Sequence, residues 1–88
     1  MVKWKILYTK RAQDDSIKLK KCGLQEKALK LIEIISENPY ETPPPFEKLF
    51  GLENVYSRRI NIQHRLVYEI NKEQKIVFVR MMYKHYGD

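Results

Sequence analysis

The sequence predicts an α+β domain with the element order βαα-βββ: an antiparallel sheet with a two-helix hairpin packed on one face. Three observations lead there. Leu24, Ala28, Leu31, Ile32 and Ile35 form a single apolar stripe at helical spacing. Ahead of it, Trp4, Ile6 and Tyr8 alternate with Lys3, Lys5 and Leu7 in a short strand pattern. After it, from Tyr56 onward, come three runs rich in β-branched and aromatic residues, parted by polar turn sequences.

The first strand is predicted at Lys3–Tyr8. Thr9 is an N-cap for a polar helix reaching about Lys21, and Gly23 suits its C-terminal turn. The striped helix follows, with Lys27, Lys30 and Glu33 off the stripe. It ends at Asn38-Pro39, because proline disfavours helical geometry in the residue before it. Pro43, Pro44 and Pro45 make a stiff, extended connector that releases Phe46 and Glu47 in a defined direction. The last three strands are predicted at Tyr56–Ile62, Arg65–Asn71 and Lys75–Tyr83. Ile62-Gln63-His64 and Asn71-Lys72-Glu73-Gln74 form the turns.

Composition narrows the function. The 88 residues are expected to form a single domain, and 43% hydrophobic content argues against disorder. A lone cysteine, Cys22, makes no internal disulfide, and without CxxC or a Cys/His cluster neither a metal nor another cofactor is expected. The opening MVKWKILYTK is too short and interrupted for a signal peptide, so the expected setting is the cytoplasm. A net charge of +6 and a pI near 9.5 favour a polyanionic partner. No basic amphipathic helix with a broad aromatic face is visible, so no membrane partner is expected.

The stretch YSRRINIQHRLVYEI carries Arg58, Arg59, His64 and Arg65, more cations than a core-facing strand needs. An odd-length loop at Ile62-Gln63-His64 pairs Ile60 with Leu66 and puts Tyr56, Ile60, Ile62, Leu66, Tyr68 and Ile70 on one face. Arg59, Asn61, Arg65 and Glu69 then share the opposite, uncovered face, where an Arg59–Glu69 pair would be the plain structural use. Parity places Arg58 at the edge of the core side. The final run, KIVFVRMMYKHY, is apolar on both faces, as suits an interior strand.

Glu47, Arg59, Arg65, His85 and Tyr86 form a set with chemical meaning. A carboxylate and a histidine can act as base and acid, and arginines can hold a phosphate and its developing charge. Cleavage of RNA by its own 2′-hydroxyl needs only such groups, and exposed aromatics such as Tyr86 can stack on bases. A non-catalytic RNA-binding module would use the same residues.

NPYETPPPFEKLFGLENVYSRRINIQHRLVYEI, together with the ending YKHYGD, resembles the YoeB (Txe) family of toxins, within the wider RelE-like fold. The likeness is strongest in SRRI, a three-residue spacer and HRLVY, and in the terminal His85-Tyr86. It implies a ribosome-dependent endoribonuclease that cuts messenger RNA in the A site of the 70S ribosome and is held in check by a YefM-like antitoxin. It also implies Glu47 as base, Arg65 as transition-state stabiliser and His85 as acid, with Tyr86 and Arg59 contacting RNA. The chain departs from the family at PPPFE, where a glycine- and lysine-containing loop is usual, at Lys84, and at the extra Gly87 and Asp88. A ParE-like toxin that acts by binding is the alternative within the same fold.

Overall fold

The computed structural model describes residues 3–43 and 45–83. Its elements run β1 (Lys5–Tyr8), α1 (Lys10–Lys21), α2 (Gln25–Glu37), β2 (Phe46–Lys48), β3 (Val55–Arg59), β4 (Arg65–Asn71) and β5 (Ile76–Met81). The five strands form one sheet in the order β1-β5-β4-β3-β2. The predicted α+β architecture is therefore present. One pairing is parallel, β1 with β5; the others are antiparallel.

Local chemistry builds the helical hairpin as predicted. The Thr9 hydroxyl accepts the Ala12 N–H at 3.1 Å, an N-cap bond. At the other end of α1, Gly23 adopts φ +75°, and the Leu24 N–H returns to the Leu19 carbonyl at 2.9 Å. The left-handed residue and the paired closure form a Schellman motif, with apolar Leu24 brought back over Leu19. Gln25 bonds the Ser16 hydroxyl and carbonyl, tying α2 to α1.

The helices bury Ala12, Leu19, Ala28, Leu31, Ile32 and Ile35 against one sheet face carrying Ile60, Leu66, Tyr68, Ile70, Val77 and Val79. The other face is only partly open. Val55, Val67 and Met81 form a small apolar patch there, roofed by Leu49 and Leu52 of the loop after β2.

The β3–β4 hairpin has the predicted parity but a different register. Arg58, not Ile60, pairs with Leu66, and the Ile60 N–H bonds the His64 carbonyl at 2.9 Å. Asn61 causes the shift: its side-chain oxygen accepts from the backbone N–H of Gln63 and of His64, so the chain turns over Asn61-Ile62-Gln63. Strand β3 therefore stops short of Ile62, which is 83% exposed instead of core-facing. The two registers differ by two residues, so the facing of every other side chain survives.

A second irregularity lies between β4 and β5. Tyr68 pairs with Val79 but Val67 pairs with Met81, so Arg80 is an extra residue in a bulge. The bulge reverses the alternation. Val77 and Val79 face the helices, Met81 joins the opposite patch, and Met82 returns to the main core.

Arg58 is not at the edge of the core but inside it, at 0% exposure. Its Nε donates to the Tyr68 hydroxyl at 2.9 Å, its Nη2 donates to the Pro39 carbonyl at 3.1 Å, and its guanidinium lies over the Phe46 ring at 4.9 Å. Burial pushes the Tyr68 phenol above its ordinary pKa, against the opposing pull of the Arg58 hydrogen bond. The phenol therefore stays protonated at neutral pH and accepts from Arg58. Arg58→Ala should cost about 3–5 kcal/mol, the scale for emptying a large buried site whose partners lose their bonds. The adjacent, exposed Arg59→Ala should stay within about 0.5 kcal/mol. Urea midpoints of the two variants check this, and equal effects would contradict it.

Candidate active site

Phe46 determines where Glu47 goes. The PPPFE segment is not only a spacer, since its end enters the sheet as edge strand β2. Phe46 packs edge-on to Tyr56, with ring centroids 5.6 Å apart, and covers Arg58. With Phe46 fixed on the helix side, alternation turns Glu47 to the opposite face. There Glu47 pairs with Ser57, which pairs with Val67, which pairs with Met81.

Arg65 opens β4 on that same face. Its side chain is 16% exposed, donates from Nη1 to the Ser57 hydroxyl at 3.0 Å, and places Nη2 3.7 Å from Glu47 Oε1. Glu47 itself is 69% exposed. The carboxylate is thus accessible, while the largely buried guanidinium is held between it and the Ser57 hydroxyl. Arg59 pairs directly with Arg65 across the strands. Like charges in that position disfavour the sheet, and an anion between them would offset the cost.

Glu69 forms its ion pair with Arg80, at 3.2 Å, and not with Arg59. Arg59 instead joins Lys27 and Lys30 of α2 along a groove of about 750 Å³ that also borders Pro45, Asn61 and Ile62. His85 and Tyr86 lie outside the described residues. The described chain leaves β5 at Met81, opposite Val67, which is two residues from Arg65.

The model of the YoeB-like toxins of bacterial type II toxin–antitoxin systems matches residues 8–86, a span that includes Glu47, Arg59, Arg65, His85 and Tyr86. The chain belongs to this family. Among solved structures, the YoeB/ParE toxin from Agrobacterium tumefaciens is similar at TM-score 0.83 and 27% identity, over 93% of this chain and 99% of that one. The YoeB dimer from Staphylococcus aureus is similar at TM-score 0.80 and 29% identity, over 94% and 98%. The archaeal RelE–RelB complex from Pyrococcus horikoshii, at 18% identity and TM-score 0.78 over the whole of both chains, shares the fold. No curated protein matches by sequence.

In this YoeB-like toxin the sheet brings Glu47 and Arg65 together at 3.7 Å, while Arg59, the strand partner of Arg65, lines the groove beside α2. Sequence reading missed Ser57, the hydroxyl that orients Arg65. Its odd number, shared with Arg59 and Arg65 on the neighbouring positions, is the signal that could have found it. Among the described residues no helix is long and apolar enough to cross a membrane.

Proposed function

We propose that this YoeB-like toxin is an endoribonuclease that cuts messenger RNA on the ribosome. The observation that carries the reading is the Glu47–Arg65 pair: an accessible carboxylate 3.7 Å from a guanidinium that Ser57 holds in place. Glu47 takes the proton from a 2′-hydroxyl. That oxygen attacks the adjacent phosphorus, and Arg65 stabilises the negative charge of the phosphorane. His85 gives a proton to the departing 5′ oxygen, and Tyr86 stacks on a base. Arg59, Lys27 and Lys30 carry the flanking backbone along their groove. The salt bridge in the free protein is the resting arrangement; a phosphate takes the place of Glu47 on Arg65 and leaves the carboxylate free as base.

The expected partners are the 70S ribosome with message in its A site, in the cytoplasm, and a YefM-like antitoxin. A YoeB–YefM complex from Staphylococcus aureus at 29% identity supports the last of these. The basic excess of +6 suits an acidic, partly disordered inhibitor that covers Arg59 and Arg65. The test is to incubate purified protein with translating ribosomes and, separately, with the same message free in solution, then map the ends. Cuts confined to ribosome-bound message are expected. Salt-sensitive binding without cuts would instead identify a binding module or a ParE-like toxin.

A further inference from the structure

Two residues of the described chain, Met82 and Tyr83, follow β5 and precede the run that carries His85. Both are gripped by side chains that the reaction above does not use. The bulge at Arg80 ends regular pairing, so the Met82 N–H needs another acceptor. Asp15, reaching from α1 and only 3% exposed, accepts it through Oδ2 at 3.0 Å. A carboxylate is costly to bury, and Arg11 Nε, 3.8 Å away, offsets part of that cost. The Met82 side chain meanwhile fills the main core.

Tyr83 is held next. Its ring stacks on the His64 imidazole, centroids 4.4 Å apart and planes 26° from parallel, and the Lys18 ammonium sits 5.3 Å from its centre. His64 is itself fixed. It is 5% exposed, its N–H bonds the Asn61 side chain at 2.7 Å, and its carbonyl accepts from Ile60 and Asn61. It is also the residue immediately before Arg65. One rigid turn therefore carries Arg65 along the chain and touches, through space, the segment two residues before His85.

We propose that Asp15 and His64 are positioning residues, which clamp Met82 and Tyr83 and so fix where the chain stands, relative to Arg65, as it enters its terminal run. The inference rests on the cleavage reading given above and adds two residues that act on it through the chain just ahead of its acid. A misplacement of about 1 Å in a reacting group can cost on the order of 10²-fold in rate, so loosening the chain that leads to it should be felt in the chemical step.

The test is single-turnover cleavage of ribosome-bound message by the full chain, measured across toxin concentration. His64→Ala should lower the maximal rate about 10–10²-fold with half-saturation unchanged within about twofold, and His64→Phe, which keeps a stacking ring, should restore most of it. Combined with His85→Gln, His64→Ala should add nothing further, because a residue acting through His85 has no route left. Asp15→Ala should strip exchange protection from the Met82 amide and slow cleavage, while Asp15→Asn, which keeps an acceptor oxygen, should do less of both. Full rate in His64→Ala, equal loss in the Ala and Phe variants, or an undiminished effect on the His85→Gln background would each overturn the proposal. An inactive wild type would instead overturn the cleavage reading beneath it.

Discussion

Arg65→Ala is expected to slow cleavage of ribosome-bound message by about 10²–10³-fold, the usual loss when one donor to a developing oxyanion is removed. Folding should suffer much less, because the guanidinium lies on the side of the sheet away from the helices and their main core, bonded to Ser57 and near Glu47. Arg65→Lys is the informative partner. Lysine keeps a positive charge but lacks the planar fork that reaches Ser57 with one nitrogen and Glu47, or a phosphate, with the other. It should recover no more than roughly a tenth of the wild-type rate, since an ammonium engaged by Ser57 has no second rigid donor to offer. Ser57→Ala should fall between the two, because it loosens Arg65 without removing it. Single-turnover rates, alongside thermal midpoints that confirm the variants are folded, decide the matter. If lysine works as well as arginine, charge alone is sufficient and the oriented fork has no role.

What the sequence revealed follows from how local each determinant is. The Thr9 cap, the Gly23 turn and the apolar stripe of α2 depend on neighbours within a turn or two, and all are present. The face shared by Arg59, Arg65 and Glu69 was legible because strand alternation needs only the parity of one loop. The register was not legible, because it hinges on the Asn61 side chain closing the turn earlier than hydrophobicity suggests.

Arg58 shows the same limit from the other side. Parity placed it at the edge of the core side, but not inside the core. The groups that make burial tolerable, Pro39, Phe46 and Tyr68, come from three separate segments. Strand β2 is short and follows prolines, so nothing in its own pattern announces it. The bulge at Arg80 has no signature in a run that is apolar on both faces. Of the candidate site, Glu47, Arg59 and Arg65 were visible as residue types, but only the folded sheet places Ser57 behind Arg65. The assignment of His85 and Tyr86 rests on the sequence.

The largest effect is expected from changing the substrate and leaving the protein untouched. If Glu47 serves a sugar hydroxyl, the nucleophile belongs to the message, and a single 2′-deoxy nucleotide immediately 5′ of the broken bond removes it. Cleavage at that bond should fall below detection, while a deoxy nucleotide one or more positions away should leave it nearly unchanged. The products of normal cleavage should carry a 5′-hydroxyl on one fragment and a 2′,3′-cyclic or 3′-phosphate on the other, because the attacking oxygen stays attached to phosphorus. End chemistry is also the cleaner readout on ribosomes, whose own need for magnesium confounds chelation. Direct formation of 5′-phosphate ends, or undiminished cutting of the deoxy message, would mean that water attacks. Glu47 would then have no sugar proton to take and His85 no 5′ oxygen to protonate. The roles given to Glu47, Arg65 and His85 would fall together, since each is defined by the same in-line attack across a phosphate held at the open face of the sheet.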